Sequence, residues 1–119
     1  MNFATTETVA ADSADDIFAL GQQVKLYDRC GIFVALNVGA GVESVALRVE
    51  VSPDGDTWYA THVYNPATNA YAASVAFTAD TQQLAFWLDT YASHVRLIAN
   101  NTGATAATLS AFLIRQGAG

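Results

Sequence analysis

From Val45 to Val51 the chain alternates without a fault: Val45, Leu47, Val49 and Val51 are aliphatic, with Ala46, Arg48 and Glu50 between them. A strand sends successive side chains to opposite faces, so this period of two sets the aliphatic residues against a core and leaves the opposite charges in water. A helix would scatter the same residues around its circumference. The pattern recurs where Ile32, Val34, Leu36 and Val38 alternate with Phe33, Ala35 and Asn37, and where Leu84, Phe86 and Leu88 alternate with Ala85, Trp87 and Asp89. Val95, Leu97 and Ala99 likewise alternate with Arg96, Ile98 and Asn100. A closing strand is expected over 106–114, with Leu109, Ala111 and Leu113 on one face and Phe112 and Ile114 on the other.

Turn chemistry separates these segments. Ser52-Pro53-Asp54-Gly55-Asp56 joins a fixed φ, a capping carboxylate and a residue tolerant of positive φ, and Thr57 to Tyr64 then returns as an aromatic and β-branched strand. Asn65-Pro66-Ala67-Thr68-Asn69 is a second loop before a strand from Tyr71 to Thr78, and Asn101-Thr102-Gly103 turns the chain near its end. Seven or eight short strands at roughly ten-residue spacing predict an all-β fold, an antiparallel β-sandwich of jelly-roll-like form. One domain is expected over 21–116, after an N-terminal arm (1–20) and before a short flexible tail (117–119). The arm reads as extended or as one helical turn capped by Ser13. It is either a frayed terminus or a segment that orders along a neighbouring subunit.

With 119 residues and 52% hydrophobic content, the chain has surface enough to form a core, which excludes a disordered polymer. Lys25, Arg29, Arg48, Arg96 and Arg115 stand singly against eleven carboxylates, and the net charge is −6. No basic stripe exists to displace counterions from phosphates, so nucleic acid is not an expected partner. No run approaches the ~20 apolar residues of a membrane span. The N-terminus lacks the basic start of a secretory signal.

Catalytic and metal motifs are not found. His62 and His94 lack metal-ligand spacing and read as structural residues. Asp54 and Asp56 flank Gly55 without the glutamate that completes a calcium loop, so they belong to the turn. Cys30 follows Arg29, which would favour a thiolate, but it enters an apolar strand and reads as buried and inert. The Asn100-Asn101-Thr102 sequon is expected to be unmodified. No residue is assigned a catalytic, cofactor or metal role.

Ser52-Pro53-Asp54-Gly55-Asp56-Thr57-Trp58-Tyr59, followed by His94-Val95-Arg96-Leu97-Ile98-Ala99-Asn100-Asn101-Thr102-Gly103, resembles small β-sandwich virion proteins of tailed phages and, more loosely, discoidin-like sandwiches. The resemblance covers roughly residues 22–114 and assigns Asp54, Gly55 and Trp58 to a structural turn. It implies a virion structural protein on the outer surface of the capsid, above all a decoration (cement) protein. The implied partners are further copies of itself, with a trimer preferred, and the major capsid protein. A carbohydrate-binding fibre or tail module, with Trp58, Tyr59 or Trp87 as a stacking platform, and a head–tail connector are the alternatives.

Only 13% of residues are charged, so strand faces that water would normally solvate must present alanine, threonine and aromatics. Phe3, Val9, Ile17, Phe18, Tyr64, Tyr71, Trp87 and Tyr91 are therefore the candidate interface residues. For the aromatics, packing within the sandwich is the competing expectation.

Overall fold

A computed structural model describes residues 3–18, 22–24, 29–38, 45–77, 83–89 and 92–116. Twelve strand segments form among them: β1 (Phe3–Val9), β2 (Ser13–Asp16), β3 (Gln22–Gln23), β4 (Arg29–Val38), β5 (Val45–Ser52), β6 (Tyr59–Ala60), β7 (Val63–Asn65), β8 (Ala70–Ala72), β9 (Val75–Ala76), β10 (Gln83–Asp89), β11 (His94–Asn101) and β12 (Ala107–Gln116). They make two antiparallel sheets packed as a sandwich. The first has the order β1-β12-β4-β10-β7-β8; the second runs β2-β11-β5-β6, with β3 also on β11 and β9 also on β5. The chain passes repeatedly from one sheet to the other, as in a jelly roll.

That crossing explains why the segments outnumber the expected strands. The run from Thr57 to Tyr64 divides: Tyr59–Ala60 completes a hairpin with β5, and Val63–Asn65 joins β10 in the opposite sheet. The run from Tyr71 divides too, with Ala70–Ala72 on β7 and Val75–Ala76 on β5. Period-two patterning reports which side of a strand is apolar, and that does not change when the strand bends across the core.

Both inner faces follow the predicted alternation. Ile32, Val34 and Leu36 of β4, Phe86 and Leu88 of β10, and Leu109, Ala111 and Leu113 of β12 meet Val45, Leu47, Val49 and Val51 of β5 and Val95, Leu97 and Ala99 of β11. Burial of this apolar area supplies the main driving force of the fold.

The N-terminal stretch departs from expectation. Instead of an arm, Phe3–Val9 pairs along β12 and Ser13–Asp16 pairs along β11, so one segment supplies an edge to each sheet. The turn between them uses Asp12 at φ 54°, a conformation that aspartate tolerates better than most residues. Val9, Ile17 and Phe18, expected as interface points, are fully buried in the core. The Ile17 amide donates to the Leu97 carbonyl at 2.8 Å, which carries the chain inward after β2. Val9, isolated in an Ala/Thr-rich segment, is thus on the buried side of an edge strand, and Ile17 and Phe18 follow β2 into the core. The expected tail at 117–119 lies outside the described residues.

Candidate interaction face

The outward side of the first sheet carries what its inward side cannot hold. Register places Ala4, Phe112, Phe33 and Ala85 in one row across β1, β12, β4 and β10. The next row is Ile114, Gly31, Trp87, Tyr64 and Tyr71, running from β12 through β4, β10 and β7 to β8. Phe33 and Phe112 are directly opposite one another and remain 46% and 50% exposed; Tyr71 is 56% exposed. These rings stand on the middle of a sheet, where each strand's alternation forces them outward as its other side fills the core.

Gly31 makes room for them. A side chain there would begin 3.2 Å from the Phe33 ring, so the glycine lets that ring lie down over the backbone. Shallow depressions of about 310 and 300 Å³ flank Phe33, one bordered by Ala35, Gln83 and Phe112, the other by Arg29, Trp87 and Ile114. Among the described residues, charge on this face is confined to one end. There Arg29 lies 4.2 Å over the Trp87 ring and 3.7 Å from the Asp89 carboxylate. Arg29 thereby points away from the core, while Cys30, the next residue, is buried, so strand alternation separates the guanidinium from the thiol.

Trp87 is not an open platform. Tyr64 packs against it with ring centroids 5.0 Å apart, Tyr71 meets Tyr64 edge-on at 5.4 Å, and Arg29 covers it from another direction. The Tyr64 hydroxyl donates to Asn69 Oδ1, which fixes its ring from the β7–β8 turn. The competing expectation for the aromatics therefore describes Trp87 and Tyr64, which are partly buried against each other, whereas Tyr71, Phe33 and Phe112 present open surface. Sequence reasoning placed Phe33 and Phe112 on strand faces without singling them out; their exact opposition across β4 and β12 depends on a register between strands far apart in sequence. Phe3 opens β1 opposite Leu113, and Tyr91 lies outside the described residues.

The second sheet's outer side is polar and internally paired. Arg96 donates from Nε to Glu50 Oε1 at 2.8 Å, with Nη2 2.5 Å from the same oxygen, and Arg48 Nε lies 3.4 Å from Oε2. Trp58 stacks on Arg96 at 4.4 Å, so the second expected stacking residue is also covered. Partial burial pushes the Glu50 carboxyl up, but hydrogen bonds and charge from Arg96 and then Arg48 outweigh it and hold it below its ordinary value. Tyr59, in register with core-facing Val51 at the edge of this sheet, is 57% exposed.

The Ser52–Trp58 turn is held by its own polar groups. Asp54 accepts from the amides of Asp56 and Thr57 at 2.8 and 3.0 Å, and from the Ser52 hydroxyl at 3.0 Å. Those amides hold its carboxyl below the usual value. Gly55 has φ 85°, and a β-carbon there would sit 3.2 Å from the His94 ring. His94 in turn shares a 2.8 Å hydrogen bond with Ser93 Oγ. Among the described residues no three His, Cys, Asp or Glu side chains converge to hold a metal ion, and no helix is long and apolar enough to cross a membrane.

Neither protein-family models nor curated protein sequences match this chain. Solved structures do share its fold. PBSX exported protein XepA superimposes with a TM-score of 0.66 at 18% identity over 100% of this chain, which spans 37% of that longer protein. PRD1 vertex protein P5 gives 0.59 at 8% identity, covering 98% of this chain and 96% of that one. The SPBc2 prophage-derived protein YomS gives 0.58 at 12% identity, covering 95% and 94%. The sandwich is therefore one that a prophage-derived protein and a vertex protein also adopt, in line with the resemblance read from the turn and strand motifs.

Proposed function

We propose that the chain is a non-enzymatic virion structural protein that decorates the outer capsid, self-associates and docks by the outward face of its first sheet. The observation that carries this reading is the exposed Phe33–Phe112 pair at the centre of a face almost without charge. A sugar site needs several directed hydrogen-bond partners beside an open ring, and the depression between the two phenylalanines has only Gln83 and Ser110 as polar side chains among those that border it. A protein surface needs apolar anchors near the middle of a patch and polar groups at its rim, which is how the phenylalanines and the Arg29–Asp89 pair are disposed. The likeness of fold to a vertex protein supports a place at the shell. Clusters at three-fold positions, where a capsid lattice brings neighbouring subunits together, would bridge capsomers of the major capsid protein and bury apolar area at each junction. An acidic chain fits the outside, since it holds no cationic surface for the genome.

The test is co-sedimentation with empty capsids of the encoding phage, using the wild type and a Phe33→Ser/Phe112→Ser variant. The wild type should bind at a fixed number of copies per capsid, and the variant should keep its melting temperature and lose most of its occupancy. Equal occupancy by the folded variant would remove the face from the reading. Absence of wild-type binding together with retention on a glycan array would replace decoration by the carbohydrate-binding alternative.

A further inference from the structure

The two strands contributed by the N-terminal segment end their sheets very differently. β2 is four residues long and includes Asp15 and Asp16, charges that guard an edge against pairing. β8, at the far edge of the first sheet, has three residues. β1 has seven, Phe-Ala-Thr-Thr-Glu-Thr-Val, without proline, lysine or arginine, and no described strand pairs with its outer side. A long edge of this composition offers a row of backbone donors and acceptors to another strand, and natural monomers seldom leave one unguarded.

We propose that β1 pairs antiparallel with β1 of a second copy about a two-fold axis at Thr6, joining the two first sheets into one. The choice of occupant follows from register. Centred on Thr6, every residue from Phe3 to Val9 finds a partner: Phe3 meets Val9, Ala4 meets Thr8, and Thr5 meets Glu7. Glu7 then faces a threonine, whereas centring on Glu7 would oppose two carboxylates. The Thr6 register also keeps side chains in phase. Ala4, Thr6 and Thr8 are the exposed residues of β1, and the pairing sets them beside Thr8, Thr6 and Ala4 of the other copy on one continuous outer face. Hydroxyl pairs already link this strand to β12 on the same outer face, at 3.2 Å between Thr6 and Ser110 and 3.1 Å between Thr8 and Thr108. The proposal is independent of what the outward face of the sheet docks on.

Cysteine cross-linking reads the register directly. Residues opposed in an antiparallel pair have Cα atoms roughly 4.5–5.5 Å apart, within disulfide reach, but two residues along each strand from the axis the like-numbered positions are separated by roughly 14 Å. Thr6→Cys should therefore give a covalent dimer on mild oxidation and Thr8→Cys should not, with both variants melting like the wild type; native Cys30 is buried and gives no background. Charge supplies a second arm. Thr6→Lys and Thr6→Glu chains should each lose the β1-mediated dimer, and mixing them should restore it by light scattering. Failure of Thr6→Cys to cross-link, equal cross-linking by Thr8→Cys, or no recovery on mixing would overturn the proposal.

Discussion

Asn101 shows how much one polar residue can hold. It is fully buried at the end of β11, where Nδ2 donates to the Val9 carbonyl at 3.2 Å and to the Thr105 carbonyl at 2.9 Å, and Oδ1 accepts from the Gly103 amide at 3.0 Å. It thus ties the end of β1 to the turn that launches β12. Asn101→Ala leaves all three backbone groups without this partner, and is expected to cost about 2–4 kcal/mol. That would lower Tm by roughly 10 °C in a thermal melt. Asn101→Asp retains the contact to Gly103 but turns a charge toward two carbonyls, and should be worse than alanine at neutral pH. Glu50 makes a different prediction. Its carboxyl is held below 4.5, so its contribution to stability is complete above that pH and is lost as pH falls through the lower, folded value. Tm measured against pH should therefore drop less steeply on the acid side for Glu50→Gln than for the wild type.

At the level of elements, the regular strands were legible because each is long enough to show its period: β4, β5, β10, β11 and β12 bury the residues that alternation assigns to the core. The turn at Ser52–Trp58 was legible because its chemistry is local, a serine and an aspartate binding amides within a few residues. What sequence reading missed is non-local. Val9 looks isolated along the chain and Ile17-Phe18 is too short to show a period, and only the pairing of the strands before them with β12 and β11 brings them into the core. The outward phenylalanine pair likewise exists through the register between β4 and β12, and could have been suspected only from two strands that each carry an aromatic on the non-core side. Deleting residues 1–19 tests whether this segment is an arm or part of the fold. An arm could be removed without harm to the domain, but this segment brings three fully buried side chains, each worth about 1.5–3 kcal/mol of burial. The truncated chain should lose its cooperative thermal transition and expose its core to a hydrophobic dye. A sharp transition near the wild-type Tm would restore the arm.

On the scale of the whole molecule, charge and apolar surface are segregated. The carboxylates of Glu7, Asp15, Asp16 and Asp56 border one hollow at the side of the sandwich, with Arg96 among them, while the first sheet's outward face holds its rings away from them. A net charge of −6 opposes growth beyond small assemblies at neutral pH, and repulsion of this kind acts over about a Debye length, roughly 10 Å at 0.1 M salt. Lowering the pH toward the isoelectric point near 4.4 removes that repulsion without removing the phenylalanines. Association should then pass from small species to large ones, because an aromatic face that water solvates poorly is no longer opposed. The Phe33→Ser/Phe112→Ser variant has the same charge at every pH and should stay dispersed closer to pH 4.4 than the wild type does. Light scattering on the two proteins across that range separates the contributions. If they come out of solution together, neutralised carboxylates alone drive the association and the face has no part in it; a gap between them measures how strongly the exposed rings seek a partner.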